Sequence, residues 1–154
     1  MALKEQVPNV YGVGLRNVGS YQVSGTPWVT GSAIANDKTQ RHTFPYVSKS
    51  FTLINTGSGD LYVHFADDND VQVSADGAGG AVTFTSTGGS QDDWWANNHY
   101  ITVQANGSVT FDVKCRYVYI STDSGANQGY QLFAELTNIP GSRMYELTGS
   151  GITS

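Results

Sequence analysis

The chain has few of the residues that form crosslinks or carry chemistry. Its 154 residues include one cysteine, three histidines and only 14% charged residues. One cysteine cannot close a disulfide within the chain, which excludes a disulfide framework. Cys115 lies in the alternating stretch VKCRYVYI, and we interpret it as a small buried thiol.

Positive charge is missing from a long central segment. No Lys or Arg lies between Ser50 and Val113, whereas the same segment contains eight aspartates. Proteins that bind nucleic acid usually carry a basic stripe on one face. We therefore expect no direct contact with nucleic acid.

Long apolar runs are also missing. No segment, including the start MALKEQVPNV, has the continuous hydrophobic stretch of a signal peptide or a membrane span. We expect a protein with no membrane partner that is made in a reducing cytoplasm. No segment shows a sustained helical period, so helices longer than a turn or two are not predicted.

Sequence motifs for catalysis and for ligand binding are absent as well. His42, His64 and His99 lie far apart in the sequence, and there is no nucleophile elbow or phosphate-binding loop. The acidic run from Asp67 to Asp70 lacks the glycine and the trailing glutamate of a calcium loop, so we interpret it as a solvated turn. We predict no catalytic residue, no bound metal and no cofactor.

The residues that are abundant favour short strands and tight turns. The chain has 18 Gly and nine Tyr, and apolar residues alternate with polar ones from Ser50 onward. The stretch SFTLINTGSGDLYVHFA reads as strand, turn and strand, which predicts a hairpin. HYITVQANGSVTFDVKCRYVYIST predicts a second hairpin, because Asn106-Gly107 suits the positive φ angles of a tight turn.

The strand candidates together predict the fold. QRHTFPYVS, AVTFTST and GYQLFAELTN add further strands, and about seven to nine short strands fit a sandwich. We predict an all-β fold, an antiparallel β-sandwich that is jelly-roll or Greek-key-like, over residues 36–138. The connection from Asp67 to Gly80 is predicted to be a long loop.

The two ends of the chain differ from its body. Residues 1–35 and 139–154 hold strand-forming residues in short pieces separated by Gly, and we predict extended N- and C-terminal arms. Their large apolar residues either pack on their own sandwich or pair with a neighbouring subunit by strand addition or arm exchange. The candidate subunit or shell contacts are Tyr11, Leu15, Tyr21, Val23, Trp28, Met144, Tyr145 and Leu147.

These features resemble a known class of protein. An acidic, Gly/Ser/Thr-rich sandwich with an N-terminal arm, the stretch QANGSVTFDVKCRYVYIS and the ending ELTNIPGSRMYELTGSGITS are similar to small virion structural proteins of tailed bacteriophages. The resemblance implies a capsid decoration or cement protein, or another head- or neck-associated protein, made in the host cytoplasm and located in the virion. It also implies a homotrimer that contacts the major capsid protein or other virion proteins through its arms, with no residue doing chemistry.

An aromatic cluster keeps a second function open. Trp94 and Trp95 are followed by Tyr100 and flanked by Asp and Asn residues. They either plug the open end of the sandwich or form a platform on which a sugar ring stacks. The platform would make the chain a carbohydrate-binding module or the receptor-binding tip of a fibre.

Overall fold

A computed structural model of the chain describes residues 14–16, 18–22, 25–36, 38–65, 72–77, 81–85, 99–145 and 147. A helical turn, α1 (Gly19–Gln22), comes first and a 3-10 turn (Gly141–Arg143) comes last, and no helix in these ranges is long and apolar enough to cross a membrane. The strands between them are β1 (Thr26–Ile34), β2 (Lys38–Thr43), β3 (Tyr46–Asn55), β4 (Leu61–His64), β5 (Gln72–Gly77), β6 (Ala81–Thr85), β7 (Ile101–Val103), β8 (Ser108–Phe111), β9 (Tyr117–Thr122) and β10 (Gln128–Pro140).

The strands form two antiparallel sheets. The front sheet has the order β1-β10-β3-β8, and the back sheet has the order β5-β6-β2-β9-β4-β7. Without β5 and β6, each sheet has four strands, and the chain crosses from one sheet to the other at every connection except the one from β4 to β7. This is the strand order of a jelly roll, so the predicted all-β antiparallel sandwich is confirmed.

Both predicted hairpins are wrong in their pairing. β3 and β4 flank the first predicted turn but lie in different sheets, where β3 pairs with β10 and β8. β7 and β8 flank Asn106-Gly107 and are likewise in different sheets. Each turn is therefore an arch between the sheets, since two strands that face one core from opposite sides show the same alternation as a hairpin. The predicted loop from Asp67 to Gly80 is also corrected, because it contains β5.

Part of the predicted N-terminal arm belongs to the sandwich. All nine residues of β1 pair with β10, from Thr26 opposite Leu136 to Ile34 opposite Gln128. Alternate side chains of β1 turn toward the core, so the sandwich begins at Thr26 rather than at residue 36. Pro27 is tolerated because β1 is an edge strand, where a missing N–H need not break a ladder.

The core lies between the two sheets. Phe51, Leu53 and Leu132 of the front sheet and Leu61 and Ile120 of the back sheet are among its fully buried side chains. These residues occupy alternate positions of their strands, as the sequence pattern predicts for a sandwich. The prediction that Cys115 is a small buried thiol is also confirmed, since Cys115 is 1% exposed and belongs to this core.

A polar network crosses the core. Tyr130 of β10 donates its hydroxyl proton to Gln40 Oε1 of β2, and its oxygen lies 2.7 Å from His42 Nε2. His42 Nδ1 is buried with no hydrogen-bond partner among the described residues, and burial lowers the pKa of His42 to about 4.

The two ends of the sandwich are distinct, and we name them. The loop end comprises residues 56–60, 104–107 and 123–127, and buried Asn55 ties its first two loops together by donating to Gly59 O at 2.8 Å and Gln104 O at 3.1 Å. The terminal end comprises residues 14–16, 18–22, 44–45, 112–116, 141–145 and 147, together with the nearby strand residues Arg41 and Lys49. It contains both described chain ends.

Stability should fall as the pH drops through the range set by His42. The unfolded chain binds a proton near pH 6.5 and the folded chain only near pH 4, so protonation in this window favours unfolding. We expect the wild type to lose about 3 kcal/mol more than His42→Leu between neutral pH and pH 4. Urea unfolding at a series of pH values measures the difference, and parallel curves for the two proteins would contradict it.

Candidate functional site

Both described chain ends pack into one small cluster at the terminal end. Val47, Ile139 and Met144 are buried together, and Leu15, Tyr21 and Leu147 pack against them. The cluster is separate from the main core, although Leu147 contacts both. Segments from opposite ends of the sequence are therefore held at the same place.

The 3-10 turn after β10 directs the C-terminal segment into this cluster. Gly141 N donates to Pro45 O at 3.0 Å, and Met144 N donates to Gly141 O at 3.0 Å. A Cβ atom on residue 141 would lie 2.9 Å from Phe44 O, so the close approach of the two backbones requires glycine there. The turn brings Met144 inward and leaves Tyr145 60% exposed.

The N-terminal segment is held by Tyr21 and Lys114. The Tyr21 hydroxyl donates to Leu15 O at 3.1 Å, and Lys114 Nζ donates to the same oxygen at 3.5 Å. Lys114 Nζ also lies 5.7 Å from the centre of the Tyr21 ring. Burial, with a smaller effect of Tyr145, raises the pKa of Tyr21, so its hydroxyl stays a donor at neutral pH.

Basic side chains collect at the terminal end of this acidic chain. Arg41 and Arg116 lie over the ring of Tyr117, with their guanidinium carbons 5.0 Å and 4.9 Å from its centre. The other basic residues at this end are Arg16, Lys49, Lys114 and Arg143. Of the carboxylates whose side chains the structure describes, Asp112 lies at this end and Glu135 lies on the front sheet, whereas Asp60 and Asp123 lie at the loop end.

Two open depressions mark the surface of the terminal end. One has a volume of about 310 Å³ and is lined by Tyr21, Lys49, Asp112 and Lys114. The other has a volume of about 190 Å³ and is lined by Phe65, Val113, Lys114, Cys115 and Leu147. Burial raises the pKa of Cys115 to about 11, against the opposing effect of its hydrogen bond with Ser48, so the thiol is protonated at neutral pH.

The structure brings together some of the predicted contact residues. Leu15, Tyr21, Met144 and Leu147 meet in the terminal cluster, and they pack on their own sandwich, one of the two alternatives for the arms. The role of all of them in a partner contact stays a prediction. Tyr11 and Val23 lie outside the described residues.

Trp28 does not join the terminal cluster. Its ring contacts Phe44 edge-on at 5.1 Å between ring centres, and it packs against the main core. Trp28 therefore also packs on its own sandwich. Its side chain is half-buried, and β1 carries it at the edge of the front sheet.

The predicted glycan platform is described only at Tyr100. Trp94 and Trp95 lie outside the described residues, as does the acidic run from Asp67 to Asp70. The Tyr100 ring contacts Tyr62 edge-on at 4.9 Å between ring centres. Burial, and then a hydrogen bond to Asp123, raise the pKa of Tyr62 to about 12. No group of three metal-ligating side chains occurs in the part of the chain that the structure describes.

The sequence interpretation missed the basic surface of the terminal end. Arg41 and Arg116 are far apart in sequence, and only the pairing of β2 with β9 brings them to one tyrosine. The sequence did contain one signal of this surface. No Lys or Arg lies between Ser50 and Val113, so the basic residues are confined to the two flanking parts of the sequence.

Comparisons with known proteins leave the family open. No family model and no curated protein matches the chain. A crystal structure of PirA is similar at 16% identity over 79% of this chain and 99% of that chain, with a TM-score of 0.28. The function is therefore argued from the residues themselves.

Truncation of Met144 should destabilise the protein, whereas truncation of its neighbour should not. Met144 is 7% exposed in a buried cluster, so Met144→Ala should cost about 2 kcal/mol. Tyr145 is 60% exposed, and Tyr145→Ala should change the free energy of unfolding by less than about 0.5 kcal/mol. Chemical denaturation of both variants checks this, and equal losses would contradict the assignment of Met144 as the anchor.

Proposed function

We propose that the chain is a non-enzymatic virion structural protein that decorates or cements a phage capsid. Its terminal end is the docking surface, and the partner is the major capsid protein or another virion protein. The observation that carries the proposal is that the first and last described segments, six basic residues and the exposed Tyr145 meet at one end of a jelly roll.

The charge distribution supports docking in one orientation. The chain has a net charge of −5, yet its described basic residues are concentrated at the terminal end. Asp60 and Asp123 occupy the opposite end. An acidic partner surface attracts the terminal end and repels the loop end, which orients the protein before contact.

The exposed apolar groups support a contact at the same place. Tyr145 is 60% exposed and Val18 is 65% exposed, and both belong to the anchored chain ends. Aromatic residues beside arginines are typical of the centre of protein interfaces. The packing of Leu15, Tyr21, Met144 and Leu147 fixes these groups in advance, which lowers the entropic cost of binding.

The buried histidines support a role without chemistry. His64 Nε2 lies 2.7 Å from Ser121 Oγ, which in turn lies 2.7 Å from Thr39 Oγ1. A histidine that hydrogen-bonds a serine can act as the general base for a nucleophilic serine. Here, however, both side chains are buried, with Ser121 2% exposed and His64 1% exposed. We interpret these side chains as a structural network, because a nucleophile must reach its substrate.

A decoration protein binds a repeating shell in many copies, so each single contact can be weak. When several copies are linked, their contacts act together and the overall affinity exceeds that of one contact. The homotrimer that the resemblance implies is one arrangement that provides several docking ends at once. Localisation in the virion follows from this proposed role.

The docking proposal predicts loss of binding when charge is reversed at the terminal end. The protein should be present in many copies in purified particles of the virus that encodes it, as measured by quantitative mass spectrometry. Particles from a virus that lacks the gene should bind the added protein saturably. Lys114→Glu should weaken this binding at least about tenfold, and more strongly at low salt, because it repels an acidic surface.

A control with the same charge change separates docking from general electrostatics. Lys38 begins β2 on the side of the loop end, so Lys38→Glu should bind as the wild type does. Absence of the protein from purified particles would contradict the proposal. Equal weakening by both substitutions would contradict the assignment of the terminal end.

A second candidate function is glycan binding, as a carbohydrate-binding module or a fibre tip. The contact between Tyr62 and Tyr100 favours it, because half-buried tyrosines near Asp60 and Asp123 combine aromatic faces with hydrogen-bonding groups. Binding of a glycan by the wild type and its loss in Tyr100→Ala, with unchanged unfolding, would favour this candidate over the first.

A further inference from the structure

The edge strand β1 is long, regular and uncharged. It pairs with β10 at nine consecutive positions without a register shift, and no described strand pairs with its other side. Its sequence, TPWVTGSAI, contains no charged side chain. Natural proteins usually protect such an edge with a charge, a proline, a bulge or a covering segment, and of these β1 has a proline, Pro27 at its second position.

The opposite edge of the front sheet is protected in the usual way. β8 has only four residues, and the charged residues Asp112 and Lys114 follow it closely. Its short length and these charges make a poor template for a further strand. Of the two edges of the front sheet, β1 is therefore the better template for pairing with a further strand.

An exposed apolar patch reaches this edge across the outer face of the front sheet. Val29 of β1 is 72% exposed and lies opposite Phe133 of β10, which is 40% exposed. Ile54 of β3 is 37% exposed and lies opposite Gln131, diagonally beside Phe133. Exposed apolar side chains at neighbouring positions mark an interaction surface more often than scattered ones do.

The same outer face has little charge near β1. Among the described side chains of the front sheet that lie outside the core, the charged ones are Glu135, to which Ser50 Oγ donates at 3.1 Å, and Lys49 near the start of β3. The uncharged ones include Pro27, Val29, Gly31, Ala33, Thr52, Ile54, Ser108, Thr110, Gln131 and Phe133.

We propose that β1 pairs antiparallel with β1 of a second copy about a twofold axis. The two front sheets then join into one sheet of eight strands, and the patches around Val29 and Phe133 lie on the same surface. We choose a second copy as the partner because the uncharged strand β1 can oppose itself without like charges meeting. Two chains of net charge −5 repel each other least where neither surface is charged. A twofold contact uses the same strand on both sides, and β1 has no like charges to oppose.

The size of the contact predicts a weak dimer. Nine extended residues span about 30 Å, and one strand against its copy buries less than the roughly 1,600 Å² of a standard interface. We expect a dissociation constant on the order of micromolar, so that dimers form where copies are crowded. This pairing is independent of docking through the terminal end, since the two use different parts of the molecule.

Sedimentation velocity of the full chain over a range of concentrations tests the proposal. The wild type should pass from monomer to dimer as concentration rises. Val29→Lys and Gly31→Lys should each raise the dissociation constant at least about tenfold, because they place like charges across the twofold axis. Ile101→Lys is the matched control, since Ile101 is 50% exposed on β7 of the back sheet.

The two test variants guard against a failure to fold. Gly31 has room for a side chain, since its nearest Cβ contact would be Tyr130 O at 4.0 Å, so Gly31→Lys should unfold with wild-type cooperativity even if Val29→Lys does not. A wild type that is monomeric at every concentration overturns the proposal. A trimer, the assembly that the resemblance to virion proteins implies, overturns the proposal in favour of that alternative. A control that dissociates as readily as the test variants also overturns it.

Discussion

The hydroxyl of Tyr130 joins the two sheets inside the sandwich, and much of the structure depends on it. It lies on β10, hydrogen-bonds Gln40 and His42 of β2, and is 2% exposed. Burial raises the pKa of Tyr130 above its ordinary range, so the hydroxyl remains protonated and can donate. A phenylalanine here would leave Gln40 and His42 buried without this partner, which costs more than the bond itself contributes.

The position of β10 explains both surfaces of interest. Because β10 lies between β1 and β3, it leaves β1 at the edge of the front sheet and turns Gln131 and Phe133 outward. Its pairing with β3 is interrupted near Leu136, and the strand then continues to Pro140 and the 3-10 turn. The turn carries Met144 into the terminal cluster. One strand therefore sets the edge that we expect to pair and the end that we expect to dock.

The sequence predicted most of the strands and part of the turn chemistry, but not the pairing. Asn106 has a positive φ of 57°, as predicted, whereas Gly107 does not. Gly107 N donates to Gln104 O, so Ala105 and Asn106 are the central residues of the turn rather than Asn106 and Gly107. The turn nevertheless joins β7 to β8 across the core, because local alternation records which face is buried and not which strand lies alongside. The basic surface was hidden for a similar reason, since Arg41 and Arg116 meet only through the pairing of β2 with β9. The anchor residues Leu15, Tyr21, Met144 and Leu147 could be predicted without knowing the strand pairing, because they are large apolar residues in Gly-rich terminal segments.

We propose that the molecule docks through its terminal end and pairs with a second copy through β1, while the polar network around Tyr130 holds the two sheets together. Hydrogen exchange of the amides, measured on the wild type at a high and a low protein concentration, tests this most directly. The amides of β3 and β10 should be protected at both concentrations, because both strands have neighbours on each side within one molecule. Within Thr26–Ile34, the amides that donate to β10 should be protected at both concentrations, and those on the free edge should gain protection only at the high concentration, where a second copy covers them. Equal protection of the free-edge amides at both concentrations would contradict the account.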